Sequence, residues 1–403
     1  MATGAGVIEK PEAHRLTATA ACLTGRDVWG SGGSVATPYV AVHLNRLQAN
    51  LDRVAAIARS HGLALRPHVK THKCLEIARM QLDRGAVGVT ASKPQEALVF
   101  IEAGVPSVTV AYPLVIPQAA QGLLESAARW KCDLRFVVDS LEGVEAIAVG
   151  ASRDRRASIF LEIDVGLERC GVKPGSAAVE RIARAIHGSP RLCFRGILSH
   201  AGHAYAARDK GEIAAIATDE RRQMKLVVDQ LGAQNIDVEE VSVGSTPTVL
   251  AADSFADVSE IRPGNYVFLD ATACRLGVAE LNDLALGVVT TVVSVNERYC
   301  IIDAGSKVLS SDAGPHGTGG GGFGRCFALG AAALSWPGGR GVVRLSEEHG
   351  FVEHGGEPVP IGARALVFPN HSCPVVNLAD RIVVLEPGRD PVFWAVAARG
   401  KTT

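Results

Sequence analysis

The sequence predicts an α/β protein: a (β/α)8 TIM-type barrel followed by a mostly β C-terminal domain. Three observations lead there. Short β-rich runs alternate with helix-sized stretches from Pro38 to about residue 275. Beyond that point helical periodicity fades, and short strands with turns take over. The glycine fingerprint expected of an open doubly wound sheet is also missing after the first barrel strand, where Pro67-His68-Val69-Lys70 stands instead.

A chain of 403 residues can hold two domains around a large core. Net charge is −1, so no global field favours nucleic acid or an acidic membrane, and the expected partner is a small molecule. Nine cysteines without a Cys-x-x-Cys pair point to free thiols in a reducing, cytoplasmic setting. No run reaches 18 apolar residues, so no membrane-spanning helix is expected. Residues 1–36 lack the apolar segment of a secretory signal and read as a loosely held N-terminal arm ending in Gly30-Ser31-Gly32-Gly33-Ser34.

Residues 37–275 form the predicted barrel domain. Its first strand, residues 38–44, belongs either there or with the β domain. A helix over Asn45–Ser60 follows, with Leu47, Leu51, Val54, Ile57 and Ala58 at helical spacing. The eight barrel strands are expected at Leu63–Val69, Val87–Ala91, Ser107–Tyr112, Leu134–Asp139, Ser158–Asp164, Cys193–Ser199, Glu239–Val243 and Ser259–Arg262. Residues 276–403 form the β domain, with strands at Leu286–Val295, Tyr299–Asp303, Gly341–Leu345, Ala363–Phe368, Asp380–Leu385 and Val392–Ala397. The glycine-rich run Gly314–Gly324 reads as a flexible linker rather than a lid.

Chemistry in such a barrel sits at the carboxyl ends of the strands. Lys70 falls at the end of the first, among the cations Arg66 and Lys73. Partial burial among like charges disfavours its ammonium form and makes it a usable amine. Strand five leads into a glycine-flanked loop carrying Arg169, and strand six into His200, His203 and Tyr205. Strand seven leads into Gly244-Ser245-Thr246, whose backbone N–H groups and hydroxyls can cradle a phosphate. Gly264, Asn265 and Tyr266 after strand eight offer a second such loop. A lysine opposite a phosphate cradle points to pyridoxal 5′-phosphate held as a Schiff base. In the β domain His371-x-Cys373 stands in a segment read as extended, where residues i and i+2 share a side and can reach one ion. Imidazole plus thiolate suits zinc.

These motifs, together with His68, Ser346-Glu347-Glu348-His349-Gly350 and Pro369–Pro374, resemble the fold-type III pyridoxal-phosphate enzymes in the branch of D-serine dehydratase and D-threonine aldolase. The resemblance runs over residues 37 to 400 and implies His371 and Cys373 as metal ligands. Aldolases of the branch tend to carry aspartate where Cys373 stands, which favours a dehydratase turning D-serine into pyruvate and ammonia. The expected cofactors are pyridoxal 5′-phosphate and Zn2+, with Mn2+ the alternative. Lys70 takes the Cα proton, and Zn2+ binds the β-hydroxyl as Lewis acid. His68, Arg169, His203, Tyr205 and Tyr266 join the cofactor site. His349 is placed as a proton-handling group, with a salt bridge to Glu347 or Glu348 as its alternative. Retro-aldol cleavage is the rival, with His200 or His203 as base on the β-hydroxyl. A racemase and a non-catalytic cofactor carrier are the remaining readings. Fold analogy implies a homodimer.

Overall fold

Strands too short to stand alone and helices with one apolar stripe bury both in a single way: strands side by side inside, helices outside. The computed structural model, which describes residues 28–318, 321–329, 338–357 and 359–403, has this arrangement. After β1 (Tyr39–His43) and α1 (Leu44–Ser60), the chain alternates β2 (Ala64–Leu65), α2 (Leu75–Asp83), β3 (Val89–Ala91), α3 (Pro94–Glu102), β4 (Ser107–Pro113), α4 (Pro117–Trp130), β5 (Asp133–Val138) and α5 (Leu141–Gly150). It continues through β6 (Ala157–Ile163), α6 (Ala177–His187), β7 (Leu192–Ser199), α7 (Lys210–Gly232), β8 (Glu240–Val243), α8 (Thr246–Ala251), β9 (Glu260–Ile261) and α9 (Ala271–Arg275). Local chemistry starts the helices: prolines at the first helical positions of α3 and α4, and an Asp209 side chain accepting from Glu212 N at 2.9 Å in α7.

Strands β2 to β9 form one parallel sheet in the order β2-β9-β8-β7-β6-β5-β4-β3. Its edges meet where Val87 N–H donates to Leu65 O (2.9 Å) and Thr90 N–H to Pro67 O (2.8 Å), and His68 bridges Thr90. All eight expected strands are present. The first is shorter than expected because Pro67 has no N–H, and the chain turns into a 3-10 turn at Val69–Thr71 that carries Lys70. Inside the barrel, at the amino ends of the strands, Arg66 pairs with Glu260 at 2.7 Å, and Arg135 pairs with Asp133 and Glu240 at 2.8 Å each.

The C-terminal domain comprises β10 (Leu286–Val295), β11 (Tyr299–Ile302), α10 (Ser306–Leu309), β12 (Gly324–Ala328), β13 (Arg340–Leu345), β14 (Gly350–Glu353), β15 (Arg364–Pro369), α11 (Ser372–Leu378), β16 (Arg381–Leu385) and β17 (Val392–Ala395). Two of these strands, β12 and β14, were not expected from the sequence. A β-bulge in β10 lets it pair with β11 as well as β15, so β10-β11-β14-β13-β12-β15 closes on itself. β1 lies in this sheet, antiparallel to β10 and parallel to β16.

Two expectations about connecting segments change. Residues 1–27 lie outside the described residues, but the arm's end is anchored: Trp29 is fully buried, with its ring 5.6 Å from His43 and 5.7 Å from Phe368. The described parts of the glycine-rich run, residues 314–318 and 321–324, are not a free linker. A short 3-10 turn places His316 against His200 and Tyr205 at the barrel mouth.

Candidate active site

The carboxyl ends of β2 to β9 and one face of the β domain enclose a cavity of about 730 Å3, large enough for a cofactor and a small substrate. Lys70 lies in its wall, and its Nζ makes no hydrogen bond to any described residue. Burial lowers its pKa, and the Arg169 and Arg262 charges add to this against the opposing pull of Cys373 and Glu96. Lys73, three residues on, is differently held. Its Nζ lies 2.8 Å from Glu96 Oε1 and donates to Ala398 O at 3.3 Å.

Opposite Lys70 the loops after β8 and β9 face the cavity. Gly244 has φ +117°, and a Cβ on Gly264 would stand 3.1 Å from His68 Cβ, His68 O and Thr71 Oγ1, so both loops need glycine. The Ser245 and Thr248 side chains cap each other's backbone in a capping box. Thr246 Oγ1 accepts from Tyr266 N at 3.1 Å. The backbone N–H groups of Thr246, Gly264 and Asn265 meet no acceptor among the described residues, which leaves three donors for an anion.

The remaining walls are imidazoles and guanidinium groups. His200 Nδ1 is 3.3 Å from Gly244 O, while its buried Nε2 has no partner among the described residues. Burial, then the charges of Lys70 and Arg169, hold His200 neutral. The same causes push His316 down to about 4. Arg262 is buried on the cavity floor, donating from Nε to Ser242 Oγ (2.8 Å) and from Nη2 to Ser199 O. Arg169 stands at the exposed rim. Glu162 also lines the cavity, with burial raising its pKa.

His371 and Cys373 enter from the β domain. The segment is not extended throughout: His371 is (φ −143°, ψ 110°), but Cys373 sits in the first turn of α11. Both residues still line the same cavity, close enough for each to shift the other's pKa. Burial opposes charge on both, but Cys373, Asp312 and Asp270 together raise the imidazole pKa, and His371, Thr71 and Lys70 together lower the thiol's. Asp312 Oδ2 lies 2.8 Å from His371 Nδ1, and Cys373 Sγ donates to Thr71 Oγ1 at 3.3 Å, beside Lys70. Among the described residues no group of three or more His, Cys, Asp or Glu is placed to hold an ion. The pair as it stands leaves further positions of a tetrahedral ion to non-protein ligands.

The structure thus brings Lys70, His68, Arg169, His200, Tyr205, Gly244, Ser245, Thr246, Gly264, Asn265, His371 and Cys373 to one cavity. Three expected residues do not reach it. Tyr266 points into the core, its Oη accepting from Gln81 Nε2 at 3.0 Å, because the 3-10 turn after Gly264 rotates it inward. His203 faces away beneath the Asp164 loop, where a Cβ on Gly166 would lie 3.2 Å from its ring. His349 is exposed at the turn between β13 and β14, and Glu347 and Glu348 pair with Lys307 instead of with it. Sequence reasoning missed Arg262, His316, Asp312 and Thr71. Arg262 had a signal, being a charge at a strand end. His316 was hidden inside a glycine run.

Comparison with known proteins identifies what the chain is similar to. Residues 42–272 match the alanine racemase N-terminal domain family and residues 285–385 a putative serine dehydratase domain. D-threo-3-hydroxyaspartate dehydratase from Delftia sp. strain HT23 is 33% identical over 84% of this chain and 90% of its own length. The solved structure of that enzyme superposes with a TM-score of 0.83 over 90% of this chain and 97% of its own. A 3-hydroxy-D-aspartate aldolase of Paracoccus denitrificans strain Pd 1222 is 30% identical over 91% of this chain and 93% of its own. D-serine dehydratase of Dictyostelium discoideum is 29% identical over 69% of this chain and 74% of its own.

Proposed function

Because the chain belongs to the D-3-hydroxy amino acid lyases built on an alanine racemase N-terminal domain, we propose that it holds pyridoxal 5′-phosphate on Lys70 and zinc on His371 and Cys373, and removes water from its substrate. The observation that carries the dehydratase reading is the Cys373 thiol, paired with His371 and bonded to Thr71 beside Lys70. Bound there, the cofactor supplies an electron sink for the pair left at Cα, and zinc supplies Lewis acidity at the β-oxygen.

The chain's own groups do the rest. The unpaired N–H groups of Thr246, Gly264 and Asn265 hold the phosphate. Arg262, fixed by Ser242 and Ser199, would be a donor for the ring nitrogen, and its charge there would disfavour protonation of that nitrogen. His68, His200 and Tyr205 wall the ring, and Arg169 at the rim is available to the substrate carboxylate. Lys70, with a depressed pKa, accepts the Cα proton. Loss of that proton and of the β-hydroxyl expels one water, and the enamine then hydrolyses to a 2-oxo acid and ammonia.

Retro-aldol cleavage is the second reading. It needs a base for the β-hydroxyl, and the unpartnered Nε2 of neutral His200 offers one. The test incubates the zinc-loaded enzyme with D-serine, D-threonine and D-threo-3-hydroxyaspartate. Ammonia and 2-oxo acid are expected. Glycine with an aldehyde in their place overturns dehydration, and no product from any of the three overturns the lyase.

A further inference from the structure

Asp270 lies between the two binding elements of the cavity and lines neither. Its side chain joins a closed ring of hydrogen bonds with Asn265 and Ser372. Asp270 Oδ2 accepts from Asn265 Nδ2 at 2.7 Å and from Ser372 N at 3.1 Å, and Ser372 Oγ donates to Asn265 Oδ1 at 2.6 Å. The other carboxylate oxygen accepts from Ala273 N at 3.3 Å at the start of α9. Asp270 and Ser372 are fully buried and Asn265 is 6% exposed.

This ring spans the two halves of the site. Asn265 contributes one of the three free backbone N–H groups at the anion cradle. Ser372 separates His371 from Cys373. Thr272 Oγ1 donates to Asn370 O at 2.7 Å and so fixes the residue before His371 from the same helix, α9. Each side chain of the ring is hydrogen-bonded to another member of it, and all three residues are buried. Displacing one member strands another in the dry interior, so the three shift together or not at all.

We infer that Asp270 is a positioning residue for the His371–Cys373 pair, and that through Asn265 it makes metal binding and occupancy of the phosphate cradle mutually dependent. The inference rests on the lyase reading, since it takes the cradle to hold the cofactor's phosphate and the pair to hold zinc. Locking Asn265 around an anion fixes the ring, and the ring fixes the backbone from which both metal ligands project. Linkage makes the effect reciprocal: the factor by which cofactor tightens metal equals the factor by which metal tightens cofactor.

The experiment measures Zn2+ affinity of the full chain by competition with a chromogenic chelator, with and without saturating pyridoxal phosphate. Cofactor affinity is measured in parallel, with and without Zn2+. The wild-type protein is expected to bind each ligand about tenfold tighter in the presence of the other. Asp270→Asn should weaken Zn2+ about 10- to 100-fold and alter the thiolate-to-metal absorption of the Co2+-loaded protein. Ser372→Ala is the milder variant, because it removes one hydroxyl and keeps all three hydrogen bonds that Asp270 accepts. It should still bind each ligand, with the coupling factor reduced to within about twofold. Equal wild-type affinities with and without the other ligand overturn the inference, as does a full coupling factor in Ser372→Ala. A wild-type protein that binds neither ligand overturns the lyase reading itself.

Discussion

Replacing Lys70 and Lys73 by methionine, one at a time, should give opposite phenotypes, although the residues are three apart in a strongly basic stretch. Lys70 Nζ makes no hydrogen bond to a described residue, and burial already disfavours its charge. A methionine fits the same recess without a buried cation, so the cofactor-free protein should change by no more than about 1 kcal/mol. Lys73 neutralises Glu96, which is fully buried. Glu96 Oε2 keeps its donors Ser92 N (2.6 Å) and Ser92 Oγ (2.9 Å), but Oε1 is left with no counterion and no hydrogen bond. Removing one partner of a buried pair costs about 3–5 kcal/mol, a large part of a typical folding free energy. Urea unfolding followed by tryptophan fluorescence measures both variants, all in the cofactor-free form so that ligand binding does not add to the wild type. Borohydride treatment of the cofactor-loaded proteins supplies the second readout. Label should be fixed to the peptide holding Lys70 in the wild type and in any Lys73→Met that folds, and be absent from Lys70→Met. Equal destabilisation of the two variants, or label on Lys73, would refute the division of labour.

Four further outcomes follow from the site. Chelation, or His371→Ala, should abolish turnover while cofactor at saturating concentration stays bound, as its absorption spectrum would report; full turnover in metal-stripped protein contradicts this. Cys373→Asp exchanges a soft donor for a hard one, so it should weaken Zn2+, slow ammonia release and raise any Mn2+-dependent aldehyde formation; an unchanged ammonia-to-aldehyde ratio under both metals counts against a thiolate role in reaction choice. Burial holds His43 and His72 neutral in the fold, with pKa values of about 4 and about 3, against about 6.5 unfolded. Below pH 6.5 the unfolded chain therefore binds more protons, and stability should fall as pH drops from about 6.5 to 4, by at most about 1.4 kcal/mol per unit for each imidazole; a flat urea midpoint across that window refutes it. Sedimentation at assay concentration should give a homodimer, and an active monomer would contradict that expectation.

The eight barrel strands were legible because alternation of β-rich and helical stretches is a local signal, and barrel geometry then dictates which ends face the cavity. That reasoning located Lys70, His200 and the Gly244 and Gly264 loops. It could not say which way a loop side chain turns. Tyr266 and His203 lie next to cavity residues in sequence, yet a 3-10 turn and the Asp164 loop send them elsewhere. β12 begins inside a glycine run and β14 is four residues long, so neither carries a readable period. Contacts between distant residues left no trace at all. Arg66 and Glu260 are 194 positions apart, and Thr71 and Cys373 are 302 apart. His-x-Cys stands out by residue type and spacing, and both residues line the cavity even though Cys373 sits at a helix start rather than in an extended segment.

The place of β1 has a consequence for how the protein is made. Ala41 pairs with Gly287 on one side and with Val383 on the other, so a strand from the N-terminal part of the chain becomes an interior strand of the C-terminal domain. At about 5–20 residues per second, Tyr39–His43 waits on the order of 10–50 s for its first partner strand, and longer for its second. Throughout that interval an apolar strand has both hydrogen-bonding edges open, next to a barrel that can already be folding. Expression yield should therefore respond to translation speed and to substitutions in those five residues more than to equally buried residues of the barrel.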